Sequence, residues 1–236
     1  MRRIIIKLSG ESLANKSKDL AIDNDIVEKI VGQIKKIIDR KIEVGIVVGG
    51  GNFWRGAAAE KHGIPRNRAD YIGMLATVMN GLALQSAFQQ AKVPTRIQSS
   101  IAVDARVAEN YINEKAVNAL KSGEVLIFVG GTGRPFFTTD TAAALVASEL
   151  QADTILMGKN GVDGVYDSDP KVNQDARRFE TITYAEIINK GLKVMDATAA
   201  AMARDNHIKV IVFDITQPDS LIKVTEGKMV STLIVE

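Results

Sequence analysis

The sequence predicts an α/β protein built on a mostly parallel sheet with helices on both faces. Short apolar segments alternate with helical patterns along the chain, and nearly continuous apolar strands are those covered on both sides. Three such segments end in glycine, at Ser9-Gly10, Gly49-Gly50-Gly51 and Gly130-Gly131-Thr132-Gly133. Loops at the carboxyl ends of parallel strands have this character.

Ile4-Ile5-Ile6-Lys7-Leu8 is β-rich and stops at a turn signal. Over residues 25–41, Ile26, Ile30, Ile34, Ile37 and Ile38 recur at helical spacing among charged residues, which defines an amphipathic surface helix. Residues 44–48 form the next strand, 70–90 a long helix and 95–98 a third strand. A helix over 114–120 precedes the strand 125–129, and a helix over 139–151 precedes the strand 154–157. A loop rich in glycine and aspartate then runs to Pro170. Helices over 184–189, 198–205 and 218–225 and strands over 209–213 and 232–235 complete the chain.

Residues 71–91 carry no charge and are just long enough to span a bilayer. Thr77, Asn80, Gln85, Ser86, Gln89 and Gln90 argue against a span, because amides facing lipid lack partners. This helix is expected to be buried within or between subunits.

The 30 Lys+Arg and 28 Asp+Glu leave a net charge of +2, which argues against a dedicated nucleic-acid binder. The absence of cysteine excludes disulfide scaffolds, thiol nucleophiles and thiolate metal centres, and two histidines, His62 and His207, exclude histidine-rich metal sites. Lys7 interrupts the first apolar run too early for a secretory signal, so a cytoplasmic location is expected.

Glycine turns let backbone amides approach phosphate oxygens, and a following helix start adds positive potential. One such turn is weak evidence, since tight packing demands the same residue. Three of them, accompanied by Lys7, Arg55 and Arg134, point to a polyphosphate. No Gly-x-x-x-x-Gly-Lys-Ser/Thr element occurs, which disfavours a P-loop kinase. Gly131-Thr132-Gly133-Arg134-Pro135-Phe136 begins like a dinucleotide fingerprint but has Phe136 where the third glycine belongs.

Lys7-Leu8-Ser9-Gly10-Glu11, Gly49-Gly50-Gly51-Asn52-Phe53-Trp54-Arg55-Gly56 and Gly73-Met74-Leu75-Ala76-Thr77-Val78-Met79-Asn80-Gly81 resemble bacterial uridylate kinases, of the amino-acid kinase superfamily. Thr132-Gly133-Arg134-Pro135-Phe136-Phe137-Thr138-Thr139-Asp140, Val162-Asp163-Gly164-Val165-Tyr166, Asp169-Pro170 and Lys193-Val194-Met195-Asp196 continue the match in order and spacing to the end of the chain. The resemblance implies a three-layer α/β/α sandwich, with residues 1–236 forming one amino-acid kinase domain. Its N-terminal part, about 1–152, takes the acceptor, and its C-terminal part, about 153–236, takes ATP. The implied reaction is γ-phosphoryl transfer from ATP to UMP in pyrimidine nucleotide biosynthesis, with Mg2+ accompanying ATP. A homohexamer and the effectors GTP and UTP are implied in the same way, with no membrane partner.

Carried over residue by residue, Lys7, Leu8, Ser9, Gly10, Gly51 and Arg55 are expected at the ATP phosphates, with Asn160, Tyr166 and Asp169 at its base and ribose. Gly50, Asp70, Thr132, Gly133, Arg134, Pro135, Phe136, Phe137, Thr138 and Thr139 are expected around UMP. The catalytic set is Lys7, Arg55, Asp140 and Asp196, with no metal ligand assigned. Asp196 is expected to orient Lys7, and Asp140 to organise donors around the acceptor phosphate. Either aspartate would also suit a plain helix cap. Phe136 and Phe137 would supply apolar walls, core packing being the alternative. Lys159 is read as a solvated loop lysine, with a second phosphate cation as the alternative, and His62 and His207 as loop residues.

The chemistry suits this residue set. A phosphate monoester has its second pKa at about 6, so the acceptor is largely ionised at neutral pH and needs no general base. Catalysis then rests on neutralising and aligning two anions. One cation about 4 Å from a phosphate charge contributes roughly 4 kcal/mol at an effective dielectric near 20, before desolvation. Two other readings compete: a superfamily member phosphorylating a carboxylate or carbamate, and a regulatory protein that binds UMP or UTP without turnover.

Overall fold

The computed structural model describes residues 1–54, 63–170 and 172–236. At its centre lies β1 (Arg3–Leu8), buried along its whole length. The two-residue period of a strand divides it between faces. Ile4, Ile6 and Leu8 enter one apolar cluster and Ile5 the other, which puts Lys7 on the Ile5 side at the strand's carboxyl end.

Parallel to β1 on one side runs β2 (Glu43–Val48), followed outward by β5 (Val125–Val129), β3 (Thr95–Ser99) and β4 (Glu109–Asn110). On the other side come β6 (Thr154–Lys159), β8 (Lys209–Asp214), β9 (Ser231–Val235) and β7 (Thr181–Thr183). Only the β8–β9 pairing among these is antiparallel, so the sheet is mostly parallel as predicted.

The Ile4 face is covered by α1 (Asn24–Ile38), α2 (Arg66–Gln90) and α7 (Ser220–Thr225). In α1 the apolar stripe Val27, Ile30, Val31, Ile34 and Ile37 is buried, and the Asp23 carboxylate caps its start by accepting from the Asp25 N–H at 2.9 Å. The Ile5 face carries α3 (Asn113–Lys121), α4 (Thr139–Glu149), α5 (Tyr184–Lys190) and α6 (Ala197–Asp205). With a face covered on each side, the three layers follow.

Alanine sets the geometry of the Ile5 face. Ala142, Ala143, Ala144 and Ala147 of α4 and Ala199, Ala200 and Ala203 of α6 are buried, and the two helices pack against each other. Small side chains permit close approach, so α4 lies across β1, β2 and β6 with its N-terminus at the carboxyl edge of the sheet.

Two short strands, β4 and β7, escape periodicity, because two or three residues give no pattern to read. Thr183 of β7 is also the N-cap of α5, in a capping box with Glu186. Helix α2 starts at Arg66, earlier than expected, after Pro65. It buries Thr77, Asn80, Leu84 and Phe88 on one side and leaves Leu75, Met79 and Leu82 exposed on the other. Among the described residues no helix is long and apolar enough to cross a membrane.

Candidate active site

The glycine-bearing ends of β1 and β2 are pressed together. The Gly49 N–H donates to the Leu8 carbonyl at 2.8 Å. A Cβ at Gly10 would fall 2.7 Å from the Gly51 nitrogen and 2.9 Å from the Gly49 oxygen, so no other residue fits there. The polar residues of α2 hold these loops. The amides of Asn52 and Asn80 exchange hydrogen bonds at 2.9 and 2.8 Å, and Asn80 Nδ2 lies 2.7 Å from the Gly49 carbonyl oxygen, which also accepts from it. Thr77 Oγ1 accepts from the Gly130 N–H at 2.7 Å and donates to the Met74 carbonyl at 2.6 Å. The uncharged helix is thus an anchor for two of the three glycine loops.

At the carboxyl end of β1, Lys7 Nζ lies 2.8 Å from Asp140 Oδ1, with the two side chains 10% and 15% exposed. Asp140 Oδ1 is buried and accepts no hydrogen bond from the described residues, so Lys7 meets it as an ion pair. Asp140 is not a cap. That position belongs to Thr138, whose Oγ1 accepts from the N–H groups of Asp140 at 3.1 Å and Thr141 at 3.2 Å.

The expected contact of Asp196 with Lys7 is replaced by this Asp140 contact. Asp196 caps α6 by accepting from the Ala199 N–H at 2.9 Å, and it also accepts from the hydroxyls of Thr138 and, at 3.0 Å, Thr141. The close α4–α6 packing joins the starts of the two helices and turns this carboxylate toward hydroxyls.

Lys159 closes β6 and is not a solvated loop lysine. Its Nζ donates to the Val194 carbonyl at 2.5 Å. Burial holds its pKa below the usual lysine value, opposed by the charge of Asp140 and reinforced by that of Lys7.

Two cavities flank the pair. The one on the β2–β5 side, about 330 Å³, is lined by Gly50, Gly51, Trp54, Asp70, Thr132, Phe137, Thr138 and Thr139. The loop residues Gly133, Arg134, Pro135 and Phe136 stand outside its wall. Phe136 is 68% and Phe137 48% exposed, so neither belongs to the core. Phe136 has φ +71°, its N–H donates to Asp70 Oδ2 at 2.7 Å, and the Arg66 guanidinium sits 5.8 Å from its ring centre. Arg66 Nε also donates to Asp70, at 2.9 Å.

The cavity on the β6 side, about 520 Å³, is lined by Lys159, Tyr166, Asp169 and the segment Lys190 to Val194. Tyr166 donates its hydroxyl to Asp163 at 2.7 Å, and that bond raises its pKa. Asn160 faces a different, larger hollow beside α1, where Ser12 Oγ donates to it at 2.9 Å and shares a 2.7 Å hydrogen bond with Ser9 Oγ. Leu8 contributes backbone only, its side chain being in the core. Arg55 and His62 lie outside the described residues. His207 is exposed, with Nδ1 2.7 Å from Glu236.

Sequence reasoning missed several residues here. The indole Nε1 of Trp54, on the smaller cavity, is buried and has no hydrogen-bond partner among the described residues. Asp214, at the end of β8, accepts from the N–H groups of Gly161 and Thr216, each at 3.0 Å, and from Gln217 Nε2 at 3.1 Å. Burial pushes its pKa up, but the hydrogen bonds outweigh this and hold it below the usual carboxylate value. An aspartate at a strand end before Thr216 was the available signal.

A buried ammonium ending a central strand, amide-rich loops beside it and a cavity to either side are the equipment of a phosphotransferase. The pattern of the amino acid kinase family matches residues 2–214, and the chain belongs to that family. A protein of Mycoplasmopsis synoviae named uridylate kinase is 63% identical over 231 residues, 98% of this chain and 97% of the relative. One of the same name from Mycoplasmopsis pulmonis is 61% identical over 234 residues, 99% of this chain and 96% of the relative. The crystal structure of UMP kinase from Ureaplasma parvum superposes with a TM-score of 0.94 at 44% identity, covering 100% of this chain and 99% of that one. That of UMP kinase from Bacillus anthracis gives 0.94 at 40% identity, covering 99% of this chain and 96% of that one.

Proposed function

We propose that this chain transfers the γ-phosphoryl group of ATP to UMP, giving UDP and ADP, as a nucleoside monophosphate kinase of pyrimidine nucleotide biosynthesis. The observation that carries the reading is the buried Lys7–Asp140 pair between two cavities, in a chain similar from end to end to uridylate kinases. In this reading the N-terminal part, about residues 1–152, takes mainly the acceptor and the C-terminal part, about 153–236, mainly the donor. UMP occupies the smaller cavity, between Asp70 and the Thr132–Thr139 loop. The ATP phosphates meet the amides around Ser9, Gly10 and Gly51, and its base and ribose lie toward Tyr166, Asp169 and Asn160.

Lys7 neutralises the transferring group while Asp140 positions its ammonium. Asp196 acts one step away, through the hydroxyls of Thr138 and Thr141. Arg55 serves as a further cation on the phosphates.

Among the described residues no three carboxylate or imidazole side chains form a ready-made metal cluster. That suits Mg2+ carried on triphosphate oxygens, which needs one or two protein carboxylates, and Asp140 and Asp196 are the ones at hand. Held there, Mg2+ would supply neutralisation of phosphate charge and alignment of the reacting oxygens. The exposed Leu75, Met79 and Leu82 face of α2 fits self-association, as in a homohexamer. A cytoplasmic setting and responses to GTP and UTP belong to the same proposal.

ADP release and UDP formation by the purified chain, given ATP, Mg2+ and UMP, test it. Lys7→Ala is expected to lower kcat roughly 100-fold, about 2.7 kcal/mol, with the UMP KM nearly unchanged. UMP binding without magnesium-dependent UDP formation would make the chain a nucleotide-responsive binder. Turnover of an acidic amino acid in place of UMP would move it to another branch of the family.

A further inference from the structure

We propose that Lys159 is a second phosphate-binding cation, which holds the donor nucleotide's phosphate chain beyond the α-phosphate together with Lys7. This rests on the kinase reading above and adds a residue to its donor site.

Placement is the first ground. β6 is the direct neighbour of β1, with Lys7 registered opposite Met157. Lys159 lies two residues further along, so the strand period returns its side chain to the face that carries Lys7. It also forms part of the wall of the cavity that contains Tyr166 and Asp169.

Charge is the second ground. Lys159 is half-buried, and its ammonium donates to the neutral Val194 carbonyl at 2.5 Å. Among the described residues no carboxylate lies within ion-pair distance of it, and Asp140, whose charge it feels, is already paired with Lys7. Asp140 thus serves as an ion-pair partner to Lys7 and not to Lys159. Even a half-buried cation without a counter-charge carries a desolvation cost that an incoming anion relieves. An ammonium has three protons to donate, and Val194 takes one. Two remain for phosphate oxygens at the edge of the cavity. A purely structural lysine, tying the Val194 loop to β6, would need the hydrogen bond but not the charge.

Titrating the purified full chain with ADP, AMP and UMP separates these roles. Lys159→Met is expected to weaken ADP binding at least tenfold, about 1.4 kcal/mol, while AMP and UMP affinities stay within about twofold. Lys159→Gln removes the charge but keeps a donor one bond shorter for Val194, and is expected to match Lys159→Met. ADP affinity equal to wild type in both variants, or ADP and AMP weakening together, would overturn the assignment. So would a normal Lys159→Gln beside an impaired Lys159→Met, or failure of both variants to fold, since each makes Lys159 a tether. Absence of UMP-dependent turnover in the wild-type protein would strike the kinase reading itself. Normal wild-type turnover with undiminished ADP binding by the variants would strike Lys159 alone.

Discussion

Asp140→Asn removes the counter-charge of Lys7 while keeping the shape of the side chain. At the observed 2.8 Å and an effective dielectric near 20, the gross attraction is about 6 kcal/mol, offset by several kcal/mol of desolvation. Breaking a buried pair from one side costs about 3–5 kcal/mol, because the remaining charge is stranded. With both side chains slightly exposed, about 3 kcal/mol is expected here. In a chain of this length each kcal/mol moves the melting point by about 2–4 °C, so the apo variant should melt roughly 6–12 °C lower. The stranded ammonium then favours an anion more strongly than before, and ADP without Mg2+ should bind the variant about tenfold more tightly and restore most of the lost stability. Thermal unfolding with and without saturating ADP, together with calorimetric titration, measures both quantities. An unchanged apo melting point, or weaker ADP binding, would refute the view of Asp140 as the counter-ion of Lys7.

Asp70→Ala removes the acceptor that holds the Phe136 N–H in its left-handed backbone conformation. Steady-state kinetics should show the UMP KM raised roughly tenfold with ATP KM little changed, and an unaltered UMP KM would make Asp70 a helix-start residue only. Asn80→Ala leaves the Asn52 amide and the Gly49 carbonyl short of partners in a buried setting, at about 2–3 kcal/mol. Melting should fall by roughly 4–12 °C and both substrate KM values should rise. A variant as stable as wild type would mean that the amide pair does not anchor the loop.

The layers were legible because the information is local. Ile4, Ile5 and Ile6, the isoleucine spacing of α1 and the run over β5 each announce burial without reference to the rest of the chain. Thr77 and Asn80 also declared themselves, since polar groups in an uncharged helix must meet protein partners. Which aspartate meets Lys7 was not legible. Asp140 and Asp196 both stand at helix starts, and their difference arises from the alanine contact of α4 with α6, between residues far apart in sequence. Lys159 was misjudged for a related reason. A glycine-rich segment follows it, but its own position is the last of a central strand, where the neighbouring loop at Val194 covers it. Trp54 sits inside the Gly49–Gly56 motif and Asp214 at the end of a strand, but only the folded arrangement gives the one a cavity to line and the other a loop to hold.

The position of β1 bears on how the chain reaches its fold. Ile4 pairs with Val44 on one side and with Thr154 on the other. During synthesis at about 5–20 residues per second, one edge of β1 therefore waits roughly 8–30 s for its partner. An isoleucine-rich strand with an open edge is prone to join other chains, and a charge placed within such a strand discourages this. Arg3 and Lys7 flank Ile4, Ile5 and Ile6 in that way. The lysine proposed to meet phosphate thus also places a charge at the open edge of the nascent strand before any nucleotide can bind.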